Sequence, residues 1–489
     1  MRKNHVIARH KLGSCFLILA AILFFSSCAQ DGFDDKEKFT CDVNNSQLES
    51  PSADSITIAA SADGAYFTAT WPVVFGAGGY QVSVYDVSDM ENPIIKDSLI
   101  DGCSMRFNRE EDMNYKFVIK TMGNKNLNNI DAKTSTEKAF TTFTSTYQTI
   151  PDGADIYAYF QEHPLPADSI GTNINYDLVA GGHYTMSNAV DFGANTVTLR
   201  STSKSERVNI KFTGINSGFV LSSGITLKYL DFDCDASANG FINMSKSPAI
   251  TGVGSSSNYY FVNDPISVVS CNIDNMHSFF FWDSKTPTWF PSNVIVKDCL
   301  VHCVSTDTQN LQGGAYFWTS KGNGYIRSLS ISNSTFYNTG NVDVKFFVQY
   351  GGASTTLTSI YGWINNTISY DHCTFYNMCS SGQWGNYNGI AGKATSYWKM
   401  TNCIFYNCST SGVARRFLAG KSSPTTSTFR NNTYMKSDGT FDSPSGYDDS
   451  GTDIKSDPVF KDPTNGNFSI SGSTQVSLGT GDPRWLPSK

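Results

Sequence analysis

Five lysines recur at equivalent places in repeated segments of this 489-residue chain, and each one closes a short, mostly apolar run. The runs read GFINMSK, FFFWDSK, AYFWTSK, NGIAGK and FLAGK, and they end at Lys246, Lys285, Lys321, Lys393 and Lys421. Ammonium groups repeated along one face of a protein would attract a polymer that carries repeated carboxylates. The alternative is a row of solvated lysines at strand ends, where lysines protect strand edges from pairing.

Tryptophans in the same part of the chain suggest flat surfaces for sugar rings. Trp289, Trp363 and Trp384 stand in segments rich in Gly, Asn and Pro, a composition that predicts exposed loops. We therefore expect these three to be candidate ligand-binding residues. Trp282 and Trp318 stand inside apolar runs, so we expect them to pack in the core.

Acidic and basic clusters raise the question of catalysis on a uronate. Removal of the proton next to a carboxylate needs a cation or metal that holds the carboxylate and a base within reach. Candidate cations are Arg415 and Arg416. Candidate Ca²⁺ ligands are Asp231, Asp233 and Asp235, of which the first two flank Phe232 and face one side of a strand. A solvated strand face is the alternative for this trio. Hydrolysis would need paired carboxylates, and no aspartate pair in the repeats stands out.

A five-residue sequence phrase recurs along the chain at intervals of 28 to 41 residues. This repeat predicts the secondary-structure elements that would position the residues above. Its copies are Tyr229–Asp233, Ser270–Asp274, Asp298–His302, Asn333–Tyr337, His372–Tyr376, Asn402–Tyr406 and Asn431–Met435. Segments that return at this interval are the coils of a solenoid, because a single coil cannot bury its own apolar side.

Columns read down the aligned phrases define the coil. Apolar residues stand three and five positions before the second residue of each phrase, which is the period of a strand. The first residue is mostly Asn, Asp or Ser, which suits a sharp corner. A later column of asparagines (Asn275, Asn338, Asn377 and Asn407) predicts a ladder of stacked amides. The columns therefore predict an all-β fold, a right-handed parallel β-helix.

The chain contains twelve cysteines, a number that in an exported protein first suggests disulfides. Four of them (Cys271, Cys299, Cys373 and Cys403) share one inward column on different coils. Side chains of one column point the same way rather than at each other, so we expect buried free thiols. No cysteine pair has the spacing of a zinc site.

The N-terminal segment resembles the signal of a bacterial lipoprotein. Basic residues precede the apolar run Phe16–Phe25, which is too short to span a membrane, and Cys28 follows as the residue to be lipidated. Residues 1–27 are then the signal peptide, and 28–50 an acidic tether that resembles a surface-export tag. This predicts an outer-membrane lipoprotein exposed at the cell surface. A plain secretory signal with an incidental cysteine is the alternative.

Two domains follow the tether. Residues 51–146 contain alternating strands, a Trp in the second strand and a Tyr opening a late strand, and they resemble a fibronectin type III sandwich. Residues 150–489 form the β-helix, with a cap at about 151–190 and a closing segment at about 440–489. Asp155–His163 reads as a short capping helix.

This order of segments, with the recurring Phe-Tyr-Asn phrase, resembles a group of pectate-lyase-like surface lipoproteins. Their domains are largely of unknown function, and they accompany polysaccharide-utilisation systems, often for pectin. The resemblance implies a surface protein that binds an acidic, pectin-like polysaccharide, with outer-membrane glycan-uptake proteins as partners. It also implies the alternative of a Ca²⁺-dependent polysaccharide lyase. A structural or adhesion protein is the third hypothesis. The net charge of −7 argues against a nucleic-acid partner.

Overall fold

The computed structural model describes residues 43–488 except 63, 255–257, 305–313, 320–323, 352–364, 388–389, 391–394, 419–424 and 443–446. The chain divides into two compact units, Met1–Thr141 and Thr142–Lys489. The division lies a few residues before the boundary expected from the sequence. The reason is that residues before 146 already contact the β-strands of the second unit, since the Thr144 carbonyl accepts from Arg200 Nη2 at 2.6 Å.

The described part of the first unit is a sandwich of two antiparallel sheets. One sheet has the strand order Thr57–Ala60, Tyr66–Thr70, Ser104–Asn108, and the other Ile95–Ile100, Ala77–Asp86, Asn114–Gly123, Thr136–Thr141. Two 3₁₀ turns lie at Ala53–Ser55 and Lys125–Leu127. The rings of Trp71 and Phe117 meet in the core with centroids 6.0 Å apart. The Tyr115 hydroxyl accepts the Glu110 N–H at 2.7 Å and so fixes the loop before its strand.

Part of the segment expected to be a flexible tether packs on this sandwich. The Leu48 side chain is only 4% exposed, and its N–H donates to the Ile130 carbonyl at 3.1 Å. The Ser46 N–H donates to Asn129 Oδ1 at 3.0 Å. Residues 43–50 therefore belong to the folded unit. Residues 1–42, with Cys28, lie outside the described residues.

The second unit is a parallel β-helix built from three sheets, each contributing at most one strand to a coil. The first sheet contains Gln148–Ile150, Asn173–Leu178, Thr196–Ser201, Ile225–Lys228, Ile266–Val269, Asn293–Lys297, Ser328–Ser332, Asn365–Asp371, Thr395–Thr401 and Thr425–Arg430. The second contains His183–Met186, Val208–Phe212, Leu230–Asp233, Asn272–Met276, Leu300–Cys303, Thr335–Asn338, Thr374–Tyr376, Ile404–Tyr406 and Thr433–Met435. The third contains Ala189–Asp191, Gly218–Leu221, Ile242–Met244, Phe281–Trp282, Ala315–Trp318, Phe346–Gln349 and Gln383–Asn386.

The bend between the first and second sheets confirms the predicted corner. Its residues all have left-handed backbones, with φ between 48° and 60°, at Tyr229, Ser270, Asp298, Asn333, His372, Asn402 and Asn431. Amides link the corners of successive coils, since Asn431 Nδ2 donates to Asn402 Oδ1 at 3.1 Å. In the later column, Asn407 Nδ2 donates to Asn377 Oδ1 at 2.8 Å. The predicted amide ladder is therefore present only in part, because Asn338 Nδ2 donates to the Val342 carbonyl and Asn275 Nδ2 to Asp233 Oδ1 instead of to another asparagine of the column.

The column of cysteines lies in the core as free thiols, as predicted. Cys271, Cys299, Cys373 and Cys403 are all fully buried and unpaired. Each Sγ donates to the carbonyl two residues before it, as in the 3.1 Å contact from Cys403 to Thr401. Desolvation raises the pKa of the Cys271 thiol to about 12. The four buried thiols therefore act as small apolar fillers of the core.

A short helix covers the N-terminal end of the solenoid, and the closing segment covers part of the second sheet. The helix Ile156–Glu162 lies at the N-terminal end, and its first turn is capped by the Asp155 carboxylate, which accepts the Ala158 N–H at 2.9 Å. The closing segment folds back over the second sheet and buries Tyr337, Tyr376 and Phe468 together. Its elements are the strands Phe460–Asp462 and Asn467–Ile470, the helix Ser473–Leu478 and 3₁₀ turns at Pro463–Asn465 and Pro483–Trp485.

Further elements of the second unit lie outside the three sheets. The strands Tyr259–Val262 and Thr288–Pro291 pair in parallel as a small added sheet. A helix, Val413–Phe417, packs against the last strand of the third sheet, and a 3₁₀ turn lies at Ala167–Ser169. Among the described residues, no helix is long and apolar enough to cross a membrane.

Candidate functional site

Two tryptophans stand in register on the outer side of the third sheet. Asn243 pairs with Trp282, and Trp282 pairs with Trp318, so the three side chains form one column on successive coils. The two indole rings lie 6.2 Å apart between centroids, at an interplanar angle of 25°. Both side chains are half-buried and line a groove. The expectation that Trp282 and Trp318 pack in the core is met in part, because both rings pack against the main hydrophobic cluster while they also line the groove.

A lysine lies against each of these rings. Lys246 Nζ is 5.9 Å from the Trp282 centroid, and Lys285 Nζ is 5.9 Å from the Trp318 centroid. Each lysine follows the column residue of its own coil by three positions, so the same unit repeats from coil to coil. A cation over an indole face at an exposed site gains roughly 0.5–1 kcal/mol, which favours one position of the ammonium. We call Lys246, Trp282, Lys285 and Trp318 the lysine–tryptophan column.

The two ammonium groups lack carboxylate partners. Of the ion pairs within 4.0 Å among the described residues, none involves Lys246 or Lys285. Other lysines on the solenoid do pair, as Lys436 does with Asp442 at 3.2 Å. Both groove lysines are exposed, and one coil step is about 4.8 Å. Two unpaired positive charges therefore face solvent close together.

The backbone that presents Lys285 is held in an unfavourable conformation. Ser284 and Lys285 have left-handed φ values of 59° and 69°, which cost roughly 1–3 kcal/mol each for residues with a Cβ. The Ser284 hydroxyl donates to the Met244 carbonyl at 2.6 Å. The buried Asp283 carboxylate accepts the Lys285 N–H at 2.9 Å. These bonds fix the turn, and strain that is stabilised in this way is common at binding sites.

Trp289 and Trp384 are not surface platforms, and the prediction for both was wrong. Each indole is 0% exposed. Trp289 lies in the added sheet against the Tyr260 ring, with centroids 5.1 Å apart, and its N–H donates to the Ser245 carbonyl at 3.1 Å. Trp384 stacks on Phe347 at 4.4 Å in the core. Trp289 therefore supports the segment that carries Lys246 and offers no face to a ligand.

The three aspartates proposed as Ca²⁺ ligands are each engaged separately with a neighbouring coil. Arg207 Nε lies 2.6 Å from Asp231 Oδ1. Asn275 Nδ2 donates to Asp233 Oδ1 at 3.0 Å, and His277 Nε2 lies 3.3 Å from Asp235 Oδ1. Within the described ranges, no group of three or more His, Cys, Asp or Glu side chains is placed to hold a metal ion. The structure therefore does not assemble the predicted cation site.

The arginine pair is also away from the groove. Arg415 and Arg416 lie in the short helix Val413–Phe417, beside the last strand of the third sheet. That strand is two steps beyond the strand of Trp318, or roughly 10 Å along the axis. Four further candidates lie outside the described residues: Lys321, Lys393, Lys421 and Trp363.

The groove presents cations and aromatic rings, which suit anions and sugars, and few side chains that could act as a general acid or base. Its described lining includes two ammonium groups, two indoles and the polar side chains of Asn216, Asn239 and Ser278. Asp191 is the one carboxylate among those lining residues. Glycoside hydrolysis requires two carboxyl groups across the scissile bond. The described lining therefore fits recognition better than hydrolysis.

Three family models match consecutive parts of the chain, each described as a domain of unknown function. They are DUF4992 over residues 1–181, DUF4957 over residues 182–339 and DUF5123 over residues 368–485. A search of curated proteins finds no match.

Two solved structures are similar to the chain at low identity. One is an alginate lyase of the PL6 family, at 13% identity and a TM-score of 0.33, covering 60% of this chain and 41% of that one. The other is a pectate lyase from Erwinia chrysanthemi in complex with tetragalacturonic acid, at 10% identity and a TM-score of 0.22, covering 66% of this chain and 84% of that one. The chain thus spans about two fifths of the alginate lyase. Sheet topology by itself establishes the parallel β-helix, the fold class predicted from the columns.

Proposed function

We propose that this protein binds an acidic, uronate-containing polysaccharide along the lysine–tryptophan column. The observation that carries the proposal is the repeat of one unit on successive coils, an ammonium over an indole at the same 5.9 Å distance. A polymer repeats its own chemistry along its length. A site that repeats a cation and a ring at each coil matches a chain whose residues each carry a carboxylate and a flat sugar face.

Electrostatics favours an acidic ligand over a neutral one. Lys246 and Lys285 lack acidic partners among the described residues, and they repel each other across one coil step. A bound carboxylate near each ammonium removes this repulsion. Each such exposed pair contributes about 0.2–1 kcal/mol. Neutral glucans gain none of this, so we expect them to bind weakly.

A lyase is the second candidate, favoured by one observation: Lys246 and Lys285 line the same depression beside Tyr260. One lysine would hold a uronate carboxylate beside the proton that a base removes. The bond from the next ring carbon to the linkage oxygen then breaks, and that oxygen leaves with a proton from solvent. Such elimination leaves an unsaturated sugar that absorbs at about 235 nm. Incubation of the protein with polygalacturonate, with and without Ca²⁺, measures this directly. A rise in absorbance that Lys285→Gln abolishes would establish the lyase.

The proposal also includes the cellular location of the protein and the role of its first unit. We infer a surface-exposed outer-membrane lipoprotein, anchored through Cys28, with glycan-uptake proteins as partners. The inferred role of the sandwich is that of a fibronectin type III-like spacer. Support for this comes from the three-plus-four strand arrangement and the Tyr115 contact to Glu110.

Affinity electrophoresis tests the proposed binding. The protein should be retarded in gels that contain polygalacturonate and should migrate freely in gels that contain a neutral β-glucan. Equal retardation in both gels would contradict recognition of charge, and free migration in both would contradict binding.

A further inference from the structure

Three depressions meet at the lysine–tryptophan column. The first, with a volume of 410 Å³, lies over Trp318 beside Ile215. The second, of 510 Å³, lies beside Tyr260 and Pro287. The third, of 310 Å³, extends to Asp191. All three volumes are of the size found for small-ligand sites, about 300–1,000 Å³.

Residues of the column stand between these arms. Lys285 borders the first and second arms, Lys246 borders the second and third, and Trp282 borders the first and third. The three depressions therefore adjoin one another in pairs around the column, and we treat them as arms of one junction; both lysines border the second arm. A linear saccharide that binds across the column extends in two directions only, so it can fill at most two of the three arms.

Part of the wall of the second arm comes from an element that is not one of the repeated strands of the solenoid. Its wall includes Tyr260 and Thr288 of the added sheet, which lies outside the three sheets of the coils. The buried Trp289 braces that sheet, with its ring against Tyr260 and its N–H on the Ser245 carbonyl. Pro248 and Pro287 line the same arm as the two lysines and add apolar surface to it. The arm thus suits a sugar whose apolar face packs on proline and tyrosine.

We propose that the junction recognises a branched acidic saccharide. The branch point, carrying a carboxylate, sits at Lys246 and Lys285, the main chain fills two arms, and a side chain fills the remaining one. This inference rests on the proposed function and specifies which class of acidic polysaccharide the site selects.

Blocking one arm at a time tests the inference. Ala238→Trp, Thr286→Trp and Ser247→Trp each place an indole in one arm at an exposed position. Ala236→Trp is the control, because Ala236 is exposed and lines none of the three. The probes are a branched pectic polymer before and after enzymatic removal of its neutral side chains, so that the backbone is the same. Calorimetry gives the dissociation constants, and leucine at the same positions serves where a tryptophan variant does not fold.

We expect the protein to bind the branched and the debranched polymer with different affinities. The unmodified protein should bind the branched polymer about tenfold more tightly than the debranched one, a difference of about 1.4 kcal/mol. All three arm variants should weaken binding of the branched polymer, while at least one should leave binding of the debranched polymer unchanged. Equal affinity for both probes, or variants that act identically on both, would overturn the branched ligand and leave the proposed function standing. No binding of either probe would overturn both.

Discussion

The indole N–H of Trp289 donates to the carbonyl of Ser245 at 3.1 Å, and Ser245 directly precedes Lys246. A buried side chain in the added sheet thus fixes the segment that carries a groove lysine. Trp289→Phe keeps an aromatic ring and removes this bond. We expect the free energy of unfolding to fall by about 1–3 kcal/mol, because the carbonyl is left without its donor. Affinity for polygalacturonate should fall as well, measured by calorimetry.

Trp384→Phe is the matched control for that experiment. Trp384 is equally buried, and its N–H has no hydrogen-bond partner within the described residues. The control should lose stability through packing alone and keep its affinity for polygalacturonate. Equal losses of affinity in the two variants would show that Trp289 acts only as a core residue.

Asp482 gives the stability of the solenoid a predictable pH dependence. Burial raises the pKa of its carboxyl to about 6, and the carboxyl accepts the Thr335 hydroxyl at 2.8 Å. At about pH 4 and below, the carboxyl is protonated in the folded protein, and its contribution to the free energy of unfolding is fully present. As the pH rises through 6, the folded protein must ionise a buried group, and this contribution is lost. The loss is about 3 kcal/mol, from roughly two units at 1.36 kcal/mol each.

Denaturant titrations between about pH 4 and pH 8 measure this effect as the difference between the unmodified protein and Asp482→Asn. The difference removes the contributions of other titrating groups, such as Asp343, whose pKa burial also raises to about 6. Asp449→Asn, an exposed position in the closing segment, is the control. A difference between protein and variant that does not change with pH would contradict the raised pKa of the buried Asp482 carboxyl.

The thiol column should tolerate a hydroxyl and reject a charge. Ser334 occupies the same column in another coil, and its hydroxyl donates to the Ser332 carbonyl at 2.7 Å, as Cys403 Sγ does to Thr401. Cys403→Ser should therefore cost little, whereas Cys403→Asp should cost several kcal/mol, because a carboxylate enters the apolar core. Thermal melts compare the two variants. Similar melting temperatures would contradict a dry column.

The corner residues and the inward-facing columns could be predicted from the sequence. Each coil requires the same backbone conformation at its corner and the same kind of side chain in its core. A left-handed corner selects Asn, Asp or Ser, and the substitutions are visible at Asp298, Asn333 and Asn402. Inward positions select apolar side chains of limited size, which explains why Cys271 and Phe232 appear where they do. These signals recur with the coil, so a single sequence is enough to read them.

Burial of the tryptophans could not be predicted, because it depends on elements outside the repeat. Trp289 stands among proline and threonine, as a loop residue would, yet the pairing of its strand with Tyr259–Val262 buries it. Trp282 stands in an apolar run and yet lines the groove, because successive side chains of a strand face opposite sides and Phe281 takes the inward position. Sequence spacing placed Lys246 and Lys285 in one column, but only the structure shows the ring that each ammonium contacts.

Removal of the two groove lysines tests the central claim most directly. The double variant Lys246→Gln and Lys285→Gln is compared with the control variant Lys297→Gln and Lys455→Gln, which removes two exposed lysine charges that do not line the groove. Calorimetry with polygalacturonate at low and at high salt is the measurement. We predict a loss of about tenfold in affinity for the groove variant, from two exposed ion pairs, together with a weaker dependence on salt. The control should bind as the unmodified protein does. Unchanged affinity in the groove variant, or an equal loss in the control, would contradict recognition of the polymer at this column.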